Sequence, residues 1–347
     1  MENKNLKRLD IRVTMKGQGG VNYDSDDQKG FLREHCGRKT SIHDNVKYLK
    51  KAFYKIENPE ENGPEFGYYS KISSNCLRHE IFKGCNDVDS VIWAFPNAAV
   101  RYITSPMGFS HGYMKTEGGS NGFGKKTCLY VSDAIDKNAV IAEELCTKDG
   151  ERDSTSMHYK ENVGKTSYKF EACFDVEQAQ FLSADDFCGR IAIDPSYIEG
   201  ENLYQKCMVE LYGRVPYNMG VFTNKHQTLG KYYGEYGMMF DDEYVNSLIK
   251  ANLHQIFGIN INRANAWART EKVEIRPVYD PLTVNEDDWM TITADDIDNL
   301  NFNIHHFYTE SSQHDWEERA NAIKAKRTET ASKKEGKKTA KKAKDEE

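Results

Sequence analysis

The sequence lacks the features that mark membrane, secreted and disulfide-stabilised proteins. Its longest apolar run, Val91 to Val100, is interrupted by Pro96 and Asn97 and is too short to cross a bilayer. The first residues have no apolar core of the kind found in signal peptides, and the eight cysteines form no Cys-x-x-Cys pair. We therefore expect a cytoplasmic protein with reduced thiols and no membrane partner.

Signatures of cofactor-dependent enzymes are also absent. There is no P-loop and no dinucleotide fingerprint, because the glycine-rich segment 118–124 lacks the strand-to-helix context that such a motif needs. His111, His158 and His226 are suited to general base catalysis, but no sequence motif joins them to a catalytic partner. Other His and Cys residues match no familiar zinc module, so we expect packing thiols, no metal and no cofactor. The residues considered as zinc ligands are His35, Cys36, His43, Cys76, His79 and Cys85.

The chain has no net positive charge to offer a nucleic acid, because its formal charge is −7. Residues 324–347 contain ten Lys or Arg and five Asp or Glu, so this tail carries +5 and the rest of the chain carries −12. The tail has low complexity, and we expect it to be disordered and to attract phosphate without sequence preference, or simply to aid solubility. A nucleic-acid site in the acidic body must depend on where its basic residues converge.

What the sequence does contain is enough apolar material for a core, with 38% hydrophobic residues in 347, a length that fits one domain with insertions or two domains. Alternation predicts strands at Leu6 to Met15 and Thr166 to Leu182, and helical spacing predicts a helix from Asp241 to Phe257. Glycines between Ser90 and Val131 predict a mobile loop between strands. Weaker patterns predict a helix at Val46 to Ile56 and strands at Val91 to Phe95, Val100 to Thr104, Thr127 to Val131 and Lys272 to Tyr279.

The segment 71–82 is the most informative part of the sequence. Three residues of the helix-capping type, Ser73, Ser74 and Asn75, stand before an apolar stripe, which predicts a short amphipathic helix that begins near Ser74. The positive end of this helix would face a phosphate, with Lys71 and Arg78 on either side of it. An ordinary capped surface helix fits the same spacing.

The order of features around this helix is that of a known family. A strand-like opening runs into the glycine-rich loop Lys16 to Lys29, which contains Val21-Asn22-Tyr23-Asp24, and the basic-Ile-Ser-Ser-polar-x-Leu-basic segment 71–78 follows after a polar insertion. This order resembles the backbone subunit of CRISPR Cascade complexes, the Cas seven branch of the RAMP superfamily, and looks closest to minimal type I-F variant systems. The resemblance covers residues 6 to 280 and continues more weakly through Tyr159 to Tyr168 and Arg263 to Val278.

The resemblance implies an α+β fold, in the form of a modified RRM-like (ferredoxin-like) antiparallel sheet with helices, long insertions and a projecting thumb hairpin. Residues 1–285 would form the RNA-binding body, with a finger or web around 90–130 and a thumb around 146–166. Residues 286–320 would be an acidic C-terminal extension, and residues 321–347 a Lys-rich disordered tail.

The resemblance also implies a non-catalytic protein that binds CRISPR guide RNA (crRNA), polymerises along it and presents it for pairing with target DNA in antiviral defence. Its partners would be crRNA, target DNA through the guide, further copies of itself and other Cascade subunits. The residues assigned to RNA contact are Gln18, Gly19, Gly20 and Asn22 in the opening loop; Lys71, Ser73, Ser74, Asn75 and Arg78 at the helix start; Lys115, Lys125 and Lys126 in the web; Met157, Tyr159 and Lys165 at the thumb; and Arg263, Asn265 and Arg269 in a closing basic loop.

Some of these residues have simpler interpretations. The web lysines also fit an ordinary flexible hairpin, and Met157 and Tyr159 also fit the alternation of a strand. Asp24, Asp26 and Asp27 lie in the opening loop, and in the RNA-cleaving type III relatives an aspartate in a comparable loop supports metal-assisted cleavage. We interpret this trio as a solvated turn. A RAMP-type endoribonuclease, for guide processing or target RNA cleavage, and a standalone single-strand binder that uses the tail are the alternative functions.

Overall fold

A computed structural model describes residues 4–23, 28–36, 48–57, 63–83, 96–115, 123–147, 157–185, 191–194, 197–198, 202–224 and 234–311. The helices are α1 (Gln28–His35), α2 (Ser74–Ile81), α3 (Pro96–Thr104), α4 (Pro106–His111), α5 (Val176–Gln180), α6 (Leu203–Tyr212) and α7 (Asp242–Phe257), and there are 3-10 turns at Glu286–Asp288 and Ala294–Asn299. The strands are β1 (Arg8–Gln18), β2 (Lys51–Lys55), β3 (Phe66–Ile72), β4 (Tyr113–Lys115), β5 (Phe123–Lys125), β6 (Leu129–Val131), β7 (Ala134–Asp136), β8 (Ile141–Thr147), β9 (Met157–Val163), β10 (Lys165–Asp175), β11 (Phe181–Ser183), β12 (Tyr217–Asn224), β13 (Glu235–Phe240), β14 (Asn260–Arg263), β15 (Ala266–Val278), β16 (Met290–Ile292) and β17 (Tyr308–Glu310).

The chain divides into two compact units. The first unit comprises Met1–Ser90, Leu129–Asp175 and Ile249–Phe302, and the second comprises Val91–Cys128, Val176–Leu248 and Asn303–Glu347. Both combine helices with antiparallel sheets, so the protein is a mixed α/β structure.

The first unit is built on a nine-stranded sheet with β1 at its centre. The strand order is β14-β15-β1-β10-β7-β3-β2, with β16 beside β15 and β6 beside β10. Leu9, Ile11, Val13 and Met15 alternate along β1 and are buried, while the residues between them face outward and are at least partly accessible. Strands β8 and β9 pair only with each other in the described part of the chain and form a separate hairpin.

The second unit contains a four-stranded sheet in the order β11-β13-β12-β17 and the short β4-β5 hairpin. Its core is aromatic. The Phe240 and Tyr244 rings stack at 4.5 Å, and Phe109 meets both of them edge-on at 5.1 and 5.6 Å. No described helix of the protein is long and apolar enough to cross a membrane.

The strongly periodic segments have the predicted structure. Helix α7 covers the range predicted from its apolar stripe, and the stripe residues are buried. Helix α2 begins at Ser74, with Ser73 as its N-cap. Strand β10 buries the alternating residues Tyr168, Phe170, Ala172 and Phe174, but it ends at Asp175, and α5 interrupts the predicted strand before β11.

Several weaker predictions are wrong. Residues 51–55 of the predicted helix 46–56 form strand β2, because Phe53 and Tyr54 pair with Tyr68 and Gly67 across a hairpin. The predicted strand 100–104 belongs to helix α3, where Val100 and Ile103 are buried together at helical spacing. Helix α4 occupies part of the predicted glycine-rich loop, and the closing basic loop is the β14-β15 hairpin. The predicted strand 91–95 and the tail 324–347 lie outside the described residues.

Candidate nucleic-acid interface

The glycine loop that follows β1 lies against the turn between β14 and β15. Gly19 has a φ of +75°, and a Cβ at this position would lie 2.7 Å from the Asn265 carbonyl oxygen. Gly17, which precedes it on the buried face, would place a Cβ 2.5 Å from the Trp267 carbonyl oxygen. Glycine is required here because the two backbones approach closely and because the left-handed conformation of Gly19 disfavours a side chain. The structure thus brings the opening loop and the closing basic segment together.

Three hydrogen bonds tie the same loop to β9 and the residue just after it. The Gly19 amide donates to the Gly164 carbonyl oxygen at 3.1 Å, and the Gly20 amide donates to Asn162 Oδ1 at 2.9 Å. The Tyr23 hydroxyl donates to the Glu161 carbonyl oxygen at 3.2 Å. Because the loop is fixed by both backbone and side-chain partners, its path is set by β9 as much as by β1.

The start of helix α2 is held by side chains from two other segments. The Ser73 amide donates to Asn22 Oδ1 at 3.1 Å, so the glycine loop reaches the helix directly. The Ser74 amide donates to Asp133 Oδ1 at 2.7 Å, and Lys71 Nζ lies 3.1 Å from the other carboxylate oxygen of Asp133. Ser73 Oγ accepts a longer bond, 3.4 Å, from the Cys76 amide. A carboxylate therefore occupies the position at the positive helix end that was predicted for a phosphate.

The charge state of Asp133 follows from these contacts. Burial raises the pKa of this carboxyl, but the hydrogen bond from the Ser74 amide and the neighbouring Lys71 ammonium outweigh it, so the pKa lies below the ordinary value of 3.8. At neutral pH the helix start thus carries a fixed negative charge of the protein itself.

The β14-β15 hairpin supplies exposed positive charge beside the helix. Arg263 and Asn265 are exposed at its turn, and Arg269 Nε donates to Asn260 Oδ1 at 2.9 Å on the neighbouring strand. Burial raises the pKa of the Cys76 thiol on α2, and the positive charges of Arg263 and Lys50 act in the opposite direction. The charge of Arg263 thus acts on a residue of α2.

A buried ion pair lies behind this surface. The side chains of Lys51 on β2 and Glu161 on β9 are both fully buried, and the Lys51 ammonium donates to the Glu161 carboxylate. The same carboxylate accepts from the Leu49 amide at 2.8 Å, and the Lys51 ammonium also donates to the Leu49 carbonyl oxygen at 3.1 Å. The Tyr48 and Tyr68 rings lie 5.3 and 5.4 Å from the ammonium. This network joins the β8-β9 hairpin to the β2-β3 edge of the sheet.

The sequence matches a family model described as type I-Fv CRISPR-associated protein Cas7fv-like, over residues 5–309. The chain belongs to this family. The match confirms both the resemblance to the Cas seven branch and the proximity to type I-F variant systems. No curated protein matches the chain by sequence.

Solved structures titled "CRISPR RNA-guided surveillance complex" are among those similar to this Cas7fv-like chain. One such chain is 10% identical, covers 81% of this chain over 76% of its own length, and has a TM-score of 0.35. Another, from a "CRISPR RNA-guided surveillance complex, pre-nicking", is 8% identical, covers 77% of this chain over 75% of its own length, and has a TM-score of 0.37.

The residues predicted to contact RNA fall into both units of the Cas7fv-like chain. The opening-loop, helix-start and closing-segment residues and Lys165 belong to the first unit, and the web lysines belong to the second. Lys125 is buried, and its ammonium donates to the Lys126 carbonyl oxygen at 3.1 Å and lies 4.1 Å from the Phe109 ring centre. Arg78 is half-buried and donates to the Leu129 carbonyl oxygen at 3.0 Å. The side chains of Lys115, Met157 and Tyr159 lie outside the described part, as do Asp24, Asp26 and Asp27.

Several residues of this region were not predicted from the sequence. Asp133, Glu161 and Asn162 are held far from their partners along the chain, and only the fold brings them together. Trp267 and Lys16 lie in segments that the sequence patterns did single out, and for Trp267 the alternation Ala266-Trp267-Ala268-Arg269 was the available sequence signal. The described residues contain no group of three or more His, Cys, Asp or Glu side chains suited to hold a metal ion.

Proposed function

We propose that this Cas7fv-like chain is a non-catalytic crRNA-binding backbone subunit of a type I Cascade complex. It polymerises along the guide RNA in the cytoplasm, together with other Cascade subunits, and leaves the bases available for pairing with target DNA. The observation that carries the proposal is the convergence of three distant segments, the glycine loop, the start of α2 and the β14-β15 hairpin, at one end of the sheet in the first unit. Family membership supplies the class of complex.

Within this proposal, the first unit is a modified RRM-like body and the β8-β9 hairpin is the thumb. The hairpin pairs Ile141 with Val163 at its base and Thr147 with Met157 at the far end of the ladder. The backbone of Met157 and Tyr159 belongs to this far part, which supports their assignment as residues that push a nucleotide out of the stacked guide. The web around residues 90–130 contributes Lys115 and Lys126, and we leave out Lys125 because its ammonium is buried.

The electrostatics favour phosphate contacts by the exposed cations of the surface. Arg263, Arg269 and Lys165 are exposed, whereas Lys71 is already paired with Asp133. A phosphate at the start of α2 would have to compete with the Asp133 carboxylate, so we assign the main phosphate contacts to the three exposed cations. The RNA strand would then run along the glycine loop and the helix start, whose lining residues are Gln18, Gly19, Gly20, Asn22, Ser73, Ser74, Asn75 and Arg78.

Co-expression of the full chain with a guide RNA tests this function. We expect the purified protein to carry RNA, nuclease digestion to leave a ladder of protected fragments with regular spacing, and electron microscopy to show filaments that lengthen with the guide. The Arg263→Gln/Arg269→Gln variant should carry less RNA and lower the slope of log affinity against log salt by roughly 0.7 for each lost phosphate contact.

The matched control is Lys206→Gln/Lys250→Gln, which removes two positive charges from helices α6 and α7 and should leave RNA content and salt slope unchanged. A protein that carries no RNA contradicts the proposal. RNA cuts that require a divalent metal and disappear in the Asp24→Ala and Asp26→Ala variants would favour the RAMP endoribonuclease instead.

A further inference from the structure

The outward face of the nine-stranded sheet carries two rows of exposed aromatic, amide and cationic side chains beside the glycine loop. In the first row Asn262 pairs with Trp267, Trp267 with Gln18, and Gln18 with Lys165; in the second, Asn260 pairs with Arg269, Arg269 with Lys16, and Lys16 with Ser167. Residues that pair across antiparallel strands point to the same side of the sheet, so both rows share one face. The Trp267 surface, as we call it, consists of Asn260, Asn262, Trp267, Arg269, Lys16, Gln18, Lys165 and Ser167, which are all exposed.

Trp267 is the centre of this surface. Its side chain is 38% exposed, although indole is among the most favourable groups to bury. The Arg269 guanidinium lies 5.5 Å from the ring centre. Lys16 on β1 pairs with Glu271 on β15, the strand that carries Trp267. The cross-strand partners of Trp267 are the amides Asn262 and Gln18, and Arg269 lies beside the ring, so these neighbours are polar and not the apolar ones that the core of a protein–protein contact usually provides.

The far half of the same face shows how this sheet holds an aromatic ring. The guanidinium groups of Arg12 and Arg276 both lie against the Trp289 ring, at 4.3 and 4.4 Å from its centre. Glu286 pairs with the same two arginines at 3.2 and 3.7 Å, and β16 joins the edge of β15 next to this contact. The protein's own acidic segment therefore places an indole and a carboxylate on the far half, whereas Trp267 on the near half is open to solvent.

We propose that the Trp267 surface stacks unpaired bases of single-stranded RNA, with Trp267 as the stacking residue and Arg269 and Lys165 as its phosphate contacts. This inference rests on the proposed function and adds to it a base-binding residue outside the glycine loop and the thumb. An aromatic ring flanked by cations is the combination that binds single strands without sequence preference, because every base has a face that can stack. The amides of Asn260, Asn262 and Gln18 offer hydrogen bonds to base edges or ribose hydroxyls.

Affinity of the full chain for a fluorescein-labelled oligouridine, measured over a series of KCl concentrations, tests the inference. Trp267→Leu should weaken binding about 5- to 100-fold while leaving the salt slope unchanged, because stacking displaces no counterions. Trp267→Phe keeps a ring and should recover most of the affinity. Lys165→Gln should instead lower the salt slope by roughly 0.7. Ultraviolet irradiation with a 5-iodouridine oligonucleotide should crosslink the peptide that contains Trp267.

Tyr130→Leu is the matched control, since Tyr130 is 44% exposed and pairs with Cys173 at the far end of the same face. It should leave affinity and crosslinking unchanged. Equal affinity of Trp267→Leu and wild type, in a protein that still yields a protected guide ladder, overturns the inference and leaves the proposed function standing. Loss of self-association in Trp267→Leu without loss of oligouridine affinity also overturns it, because the surface would then bind a second copy. Failure of the wild type to bind any RNA overturns both.

Discussion

At the residue scale, the Lys51 and Glu161 pair is the part of the candidate site that depends most on the fold. Neither side chain has any exposed area, and the two residues are 110 positions apart in the sequence. A buried ion pair is compensated only while both charges and their hydrogen bonds are present. Its position between β2 and β9 makes it a link between the sheet edge and the hairpin that we propose as the thumb.

Removal of one charge from this pair should destabilise the protein strongly. We expect Glu161→Gln to lower the free energy of unfolding by about 3 to 5 kcal/mol, because the Lys51 ammonium stays buried without a counter-charge. The double variant Lys51→Met/Glu161→Gln should recover most of the loss, since it removes both charges and the amide oxygen of the introduced glutamine can still accept from the Leu49 amide. Urea unfolding followed by circular dichroism measures these differences.

Glu210→Gln is the matched control for this change. Glu210 pairs with Arg101 at 3.2 Å, but both side chains are more than half exposed, so we expect a loss below about 1 kcal/mol. If Glu161→Gln and Glu210→Gln lowered the free energy of unfolding equally, the buried pair would contribute no more to stability than the exposed one.

At the scale of the secondary-structure elements, a carboxylate and a lysine clip the start of α2 to the turn between β6 and β7. Asp133 accepts from the Ser74 amide and pairs with Lys71. The folded-state pKa of Asp133 is depressed, so the clip contributes its full stability above the ordinary Asp pKa of 3.8 and loses it as the pH falls through the lower folded value.

Because the pKa of Asp133 is lowered in the folded state, the effect of Asp133→Asn on stability should depend on pH. At pH 7 the variant should be less stable than the wild type by about 1 kcal/mol, a modest value because the pair is partly exposed. Below a pH of about 4 the difference should shrink, since the unfolded wild-type chain then takes up a proton that the folded carboxyl, with its lower pKa, accepts only at lower pH. Urea unfolding at a series of pH values tests this, with Asp133→Asn in a Lys71→Gln background as the control, where the effect should be smaller. A difference that stays constant down to a pH of about 3 contradicts the clip.

The secondary-structure elements differ in how well their sequence patterns predict them. Helix α7 and strand β10 were predictable because each carries a long repeat of apolar residues, and only one secondary structure places that repeat on a single buried face. The five-residue strand β2 was not, because the spacing of Phe53 and Ile56 fits a helical stripe, and only the pairing of residues 51–55 with β3 makes this segment a strand. The helix start was predicted from Ser73 and Ser74, but its occupant Asp133 was not, because the Ser74 contact spans 59 residues of sequence.

At the scale of the whole molecule, charge is divided between an acidic body and a basic tail. Residues 324–347 carry +5 while the remainder carries −12, so the net charge alone gives no indication of an RNA-binding surface. Inside the first unit, however, Lys165, Arg263 and Arg269 are exposed near the glycine loop, and Glu286 and Asp10 pair with arginines at the other end of the sheet face. Local convergence and not total charge is what the proposed function needs.

Deletion of residues 324–347 separates the two possible sources of RNA affinity. If the surface in the first unit binds the guide, the deletion should weaken oligouridine binding only modestly, by less than about tenfold, and the deficit should fade at high salt because the tail acts through long-range attraction. A full-length variant with every tail lysine and arginine changed to Gln should behave like the deletion, which controls for the loss of chain length. A standalone binder that depends on the tail would lose its affinity altogether in both variants. Titrations at low and high KCl therefore decide whether the folded body or the tail holds the RNA.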